Sequence, residues 1–415
     1  MIAPEAHTVR RLDLFVTEAC NLACDYCFAA GRRRGTLALR QALGAIDWLM
    51  DSHSDRAHIT FWGGEPLLRL DLLQQASIHA RDAARQAGKR LTFSMPTNAT
   101  LLDEHSLRWI ADNQVEIFLS IDGDVDSQGR PLVAGGSSSA LAHHGLQRAL
   151  ASPGAGTPAV RMTVTPGNAA GQARGATCFL RHGVRELLVY PAMDQPWSEH
   201  EVASFASGQL ELADLLIEAV HQAETPTQIP RLKAWLPTLR RLLPSSPRRR
   251  RAGPPSSCAA GSALVALDVD GCFAPCHRFV FYNRSRQGPQ LGTLEQGLDL
   301  RAAEPLRRLG IQDQRSEEGQ RCVDCELFDL CGYGCPAISF AVTGDFATVP
   351  RAACALMRGQ AAACRRVHDA LFEDPRYRVY LGQPLQEALR CSAQTLAQEA
   401  WQRLRQEDGT SPCSK

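Results

Sequence analysis

The chain has 415 residues, 45 Lys and Arg against 44 Asp and Glu, and 44% hydrophobic residues. That balance excludes a disordered tail, a collagen or a coiled coil, and the near-zero net charge argues against a nucleic-acid partner. The length suits two or three domains with ample apolar material for a core.

The N-terminus carries Glu5, Arg10 and Arg11 and no apolar stretch, which reads as no signal peptide, and no run of about eighteen apolar residues occurs. The expectation is a cytoplasmic protein with no membrane partner. Fifteen cysteines, odd in number and tightly spaced, then argue for thiolate ligation of metal rather than for disulfides.

The first apolar segment, Leu12 to Val16, reads as a strand and runs into Thr17-Glu18-Ala19-Cys20-Asn21-Leu22-Ala23-Cys24-Asp25-Tyr26-Cys27-Phe28. Three thiolates so close together can hold three irons of a cubane and leave the fourth open for chemistry. A zinc knuckle would need a fourth Cys or His, and the stretch from Thr17 to Arg40 offers none. Further strands are expected at His58 to Trp62, Leu91 to Met95, Val115 to Ile121, Val160 to Val164 and Glu186 to Tyr190. Amphipathic stretches lie between them, at Leu37 to Met50, Leu67 to Ala87 and Ser137 to Leu150. Such alternation implies an α/β fold, a parallel sheet with helices outside.

Polar motifs fall at the ends of these strands, where ligands sit in such folds. Thr60-Phe61-Trp62-Gly63-Gly64-Glu65-Pro66 ends the second, Thr97-Asn98-Ala99-Thr100 the third, and Ser120-Ile121-Asp122-Gly123 the fourth, with Arg130 after it. Glycines suit close backbone approach to a ligand, and a carboxylate suits an ammonium.

The three-cysteine loop with an aromatic before the third Cys, followed by Gly63-Gly64-Glu65-Pro66, resembles the radical S-adenosylmethionine (radical SAM) enzymes. The resemblance implies a partial (β/α)6 TIM-like barrel in which Cys20, Cys24 and Cys27 hold a 4Fe-4S cluster. It also implies SAM contacts from Tyr26, Gly63, Gly64, Glu65, Asn98, Ser120 and Arg130. Ala99 stands where the family has glycine, which restricts a turn that uses positive φ.

Beyond Pro191, Glu199 to Gln222 is helical, and the Pro-, Arg- and Ser-rich region from Glu224 to Ser257, with Arg248 to Arg251, reads as a linker or bridge. Cys258, Gly271 and Cys276 follow, then Cys322, Cys325, Cys331 and Cys335 as C-x2-C-x5-C-x3-C, then Cys354. Seven thiolates exceed any mononuclear site, although pairs two residues apart suit zinc and iron-sulfur alike. Their order resembles the SPASM domain of peptide-modifying radical SAM enzymes, a small cysteine-rich unit with a β-hairpin and helices. By that pattern Cys322, Cys325, Cys331 and Cys354 hold one auxiliary 4Fe-4S cluster and Cys258, Cys276 and Cys335 another, three clusters in all. The last either keeps an open iron or recruits Cys272, beside the Asp270-Gly271 turn of a hairpin expected from Leu264 to Phe279. Cys178, Cys364, Cys391 and Cys413 are left as ordinary buried or surface thiols.

The resulting division is 1–223 barrel, 224–257 linker, 258–360 auxiliary-cluster unit and 361–415 helical tail, the last with Leu385, Leu389 and Leu396 at helical intervals. His277 follows Cys276 where sulfatase-maturating relatives carry an aspartate base, and it reads either as a base or as a group hydrogen-bonded near a cluster. The resemblance implies a maturase that forms thioether or carbon-carbon cross-links in a ribosomally made peptide, or else one that makes formylglycine. Expected partners are the precursor peptide, a reductant such as flavodoxin or ferredoxin, and a separate leader-recognition protein unless 224–257 or the tail serves.

Overall fold

The computed structural model describes residues 7–29, 34–124, 129–152, 154, 156–243, 258–285, 288–332 and 334–382. Strands β1 (Arg11–Thr17), β2 (Arg56–Gly63), β3 (Arg90–Thr97), β4 (Val115–Ser120), β5 (Ala159–Val164) and β6 (Glu186–Pro191) alternate with helices α1 (Leu39–Met50), α2 (Leu70–Gln86), α3 (Glu104–Asp112), α4 (Ser139–Ala151) and α5 (Gln172–Arg181), and α6 (Glu199–Gln222) follows. Neighbouring strands pair in parallel, as the alternation requires. The residues of β1 after Arg11 are all buried, because a parallel sheet is covered on its faces. Helix starts are written locally: Asp103 caps α3 through the Ser106 N–H, and Ser198 caps α6 through the Glu201 N–H.

The sheet continues past both expected edges to nine strands. On one side β7 (Arg231–Leu232) pairs with β6, and α7 (Leu236–Leu242) follows. Both fall in the region read as a linker, where Ile229, Leu232, Trp235 and Leu239 are buried in the main core. Apolar side chains set among prolines and arginines thus anchor this segment. Residues 244–257, with Arg248 to Arg251, lie outside the described residues.

On the other side β8 (Leu264–Leu267) pairs in parallel with β1, and β9 (Phe273–Ala274) returns antiparallel to β8. The hairpin expected from Leu264 to Phe279 is present but ends at Ala274, and it turns at Gly271 with φ 81°. Helix α8 (His277–Ser285) follows at once. Then come β10 (Gly292–Thr293) with β11 (Gly297–Leu298), α9 (Glu304–Arg308), β12 (Arg315–Ser316), α10 (Pro336–Thr343), β13 (Thr348–Val349), α11 (Arg351–Leu371) and α12 (Pro375–Tyr380). Helix α11 packs along α6; a Cβ on Gly359 would stand 3.1 Å from Ala206 Cβ, so glycine sets the approach. It also runs through position 360, where the sequence reading placed a division. The rest of the expected helical tail, with Leu385, Leu389, Leu396, Cys391 and Cys413, lies outside the described residues. Among the described residues no helix is long and apolar enough to cross a membrane.

Candidate active site

The C-terminal ends of the parallel strands open into one cavity of about 590 Å³. Cys20, Cys24 and Cys27 line it from the loop after β1, with Gly63, Gly64 and Glu65 after β2, Asn98 after β3, and Ser120 at the end of β4. The cysteine loop and the β2 end interlock. Gly64 N–H donates to Thr17 O at 2.9 Å and Glu65 N–H to Ala19 O at 2.9 Å. A Cβ on Gly64 would lie 2.3 Å from Ala19 O and one on Gly63 2.6 Å from Thr17 O, so only glycine permits this approach. Burial pushes the Cys24 thiol up to about 11, with Arg130 opposing and Cys27 and Cys20 adding to the shift. Three soft donors beside a glycine-walled cradle fit a thiolate-held iron-sulfur group with a small ligand against it.

Glu65 is fully buried and engaged by the protein. Its Oε1 accepts from Leu67 N–H at 3.1 Å and Thr97 Oγ1 at 2.8 Å, and its Oε2 from Asn98 N–H at 2.7 Å. Burial lifts its pKa to about 7. Its carboxylate therefore joins the ends of β2 and β3. The Asn98 side chain reaches back to the cysteine loop, donating to Asn21 Oδ1 at 2.9 Å, and Asn21 donates to Thr100 Oγ1 at 2.8 Å. Ala99 holds φ 65° despite its side chain, so the turn keeps a glycine-like shape.

Arg130 is committed within the protein. Its Nε and Nη2 donate to Asp122 at 2.9 and 3.0 Å, and both side chains are almost wholly buried. Tyr26 OH donates to the same carboxylate, whose other oxygen accepts from Thr163 N–H at 3.0 Å. The Arg130 guanidinium lies 5.3 Å from the Tyr26 ring centroid. This buried group ties the cysteine loop to β4 and β5, and both Tyr26 and Arg130 still line the cavity.

The cysteine-rich half closes the cavity with His277, Arg278 and Cys335. His277 Nδ1–H donates to Asp13 Oδ2 of β1 at 3.0 Å, and its ring stacks on Trp62 at 4.2 Å with Phe28 edge-on at 5.8 Å. Burial lowers the His277 pKa, and Asp13 opposes that. Cys258 and Cys276 lie within electrostatic reach of Cys335. Cys322, Cys325, Cys331 and Cys354 line a second cavity of about 250 Å³, where burial and the neighbouring thiols push Cys322 up to about 12. Among the described residues no group of three His, Cys, Asp or Glu side chains is arranged for a single metal ion. Cys272 sits opposite Thr293, its N–H donating to Asp268 at 2.8 Å. Cys364 is buried in the core and Cys178 stands 3.7 Å from His182 Nδ1.

Sequence reasoning passed over Asp13, Asn21, Trp62, Asp122 and Arg161 as site residues. Asp13 and Arg161 each had a signal, a charge inside an otherwise apolar strand. Asn21 had none.

Residues 14–150 match the family model of the Radical SAM superfamily. Mycofactocin maturase MftC of Mycobacterium ulcerans (strain Agy99) is 26% identical over 334 residues, 78% of this chain and 82% of that protein. The uncharacterized protein MJ0907 of Methanocaldococcus jannaschii is 32% identical over 115 residues, 28% of this chain; the match spans only 39% of that relative's length. In fold, the chain is similar to anSMEcpe with bound AdoMet at a TM-score of 0.71 and 16% identity, covering 92% of this chain and 98% of that one. Streptococcus suis SuiB bound to precursor peptide SuiA gives a TM-score of 0.55 at 15% identity, covering 84% and 76%.

Proposed function

We propose that this chain, an enzyme built on a radical SAM domain, matures a ribosomally made precursor peptide by installing an oxidative thioether or carbon-carbon cross-link. The observation that carries this reading is the single cavity lined both by Cys20, Cys24 and Cys27 and by His277 and Cys335 of the cysteine-rich half. A substrate held there meets both halves. The MftC relative is a maturase matched over most of its length, and SuiB, similar in fold, is bound to a precursor peptide; together they support a peptide as that substrate.

In this reading Cys20, Cys24 and Cys27 hold the SAM-binding 4Fe-4S cluster. Cys258, Cys276 and Cys335, and separately Cys322, Cys325, Cys331 and Cys354, hold two auxiliary clusters in a SPASM arrangement. When bound, cluster and SAM supply one-electron chemistry that removes a hydrogen atom from the substrate. The protein positions and shields. Gly63 and Gly64 leave room for SAM, Asn98 and Ser120 offer it polar contacts, and Trp62 and Phe28 keep water from the reacting face. His277, oriented by Asp13, is placed to take the proton that a cross-linking nucleophile loses. A reductant such as flavodoxin or ferredoxin supplies electrons, and the leader is recognised by a separate protein unless residues 224–257 or the C-terminal tail serve.

The test is anaerobic incubation of cluster-loaded enzyme with SAM, dithionite and the short peptide encoded beside its gene, followed by mass spectrometry. The expected product is lighter by a pair of hydrogens and resists fragmentation over one segment. SAM cleavage with an unmodified peptide would point to a sulfatase-type substrate and formylglycine. Intact clusters without SAM cleavage would contradict the reading.

A further inference from the structure

Four arginines line the central cavity, and three have their charge or donors answered by the protein. Arg130 is held by Asp122. Arg278 lies 3.3 Å from Asp194 Oδ2 and donates to Tyr282 OH at 2.8 Å. Arg241 donates to the carbonyls of Leu330 and Cys331 at 3.4 and 3.3 Å. Arg161 differs. It stands opposite Ser120 in the β4–β5 register, and its guanidinium lies 5.7 Å from the Tyr190 ring centroid. Among the described residues nothing accepts a hydrogen bond from its side chain. Burial and the nearby charge of Arg278 both disfavour its cation. A guanidinium does not escape by losing its proton, so a largely covered one with an unused fork of donors is complete only when an anion arrives.

We propose that Arg161 receives a carboxylate of the peptide substrate, an Asp or Glu side chain beside the residue that reacts. This rests on the peptide-maturase reading and adds the class of side chain that reading left open. Arg161 borders Ser120 on the cofactor side, and its strongest charged neighbour belongs to the cysteine-rich half. The glycine cradle lies on β2, three strands from β5, whereas the charge that acts most strongly on Arg161 is that of Arg278 in α8, the helix that follows Cys276. An acidic group there lies between the barrel wall and the cysteine-rich half. The planar fork of arginine matches a carboxylate in two-point contact, which fixes the orientation of the attached chain.

Two measurements test this. In the first, the cluster-loaded enzyme with SAM bound is treated with phenylglyoxal, and the modification of Arg161 is followed by peptide mapping. N-acetyl-L-glutamate at saturation is expected to slow modification of Arg161 at least about tenfold, and N-acetyl-L-glutamine not to. Equal rates with both, or full protection by SAM alone, would overturn the proposal. In the second, Arg161→Gln is expected to weaken binding of the gene-adjacent peptide about ten- to a hundredfold while leaving SAM affinity unchanged. Arg161→Lys should lose less, and amidating the peptide's critical acidic residue should make wild type and Arg161→Gln bind alike. Lost SAM affinity or unchanged peptide affinity would overturn it. The first measurement uses no peptide, so a wrong peptide assignment and a wrong role for Arg161 give different results.

Discussion

Glu65 at the end of β2 has its hydrogen bonds filled by Leu67, Thr97 and Asn98, and burial lifts its pKa from 4.5 to about 7. The folded chain therefore holds this proton more tightly than the unfolded one. The carboxyl favours folding fully below about pH 4.5, and that contribution is lost as pH rises through about 7. Urea unfolding at about pH 5 and about pH 8 should show wild type losing on the order of 2–3 kcal/mol more than Glu65→Gln over that interval. Parallel pH dependence in the two proteins would contradict the assignment. Arg130 carries a second prediction. Arg130→Ala leaves Asp122 buried without its cation and should cost about 3–5 kcal/mol of stability. A variant with reduced SAM affinity and wild-type stability would show instead that the guanidinium serves only the cofactor. The sequence displayed the grouped cysteines plainly because their spacing is the signal. It displayed Asp13 as an odd charge in a strand but not its partner, since His277 is 264 positions away. Arg130 had the right neighbourhood, but Asp122, which holds it, could not be identified from spacing.

The six central strands were legible because a parallel sheet demands apolar runs, and β1 to β6 coincide with those runs to within two residues at each end. Helices α3 and α5 were not singled out, being short, and α7 was hidden among prolines and arginines. What fixes these elements against one another is frequently a backbone contact that no side-chain pattern reports. Gly145 of α4 lies against the turn at Ala99, where an added Cβ would fall 1.9 Å from Ala99 O. Gly145→Ala must therefore displace either α4 or the Thr97–Thr100 turn. The expected cost is about 1–3 kcal/mol by chemical unfolding, with weaker SAM binding if Asn98, which moves with the turn, contacts SAM as proposed. A variant of wild-type stability would mean that the helix and turn are not so closely packed.

The two halves of the molecule share one sheet, since β8 of the cysteine-rich half pairs directly with β1. That connection brings His277 onto Asp13 and Trp62, and it puts Cys335 in the same cavity as the first cysteine loop. Spacing alone announced two sets of thiols; it could not announce that they face one space, because β8 pairs with β1 across all the chain that forms β2 to β7. If the thiols act as proposed, Cys335→Ala should lower iron content by about a third and abolish peptide modification while SAM cleavage persists. Unchanged iron would remove Cys335 from the ligand set. The most direct test of the whole account is the fate of the substrate hydrogen. With peptide made from deuterated amino acids, the account predicts deuterium in the 5'-deoxyadenosine released with each modified peptide. Modified peptide accompanied by unlabelled 5'-deoxyadenosine, under conditions without solvent exchange, would contradict it.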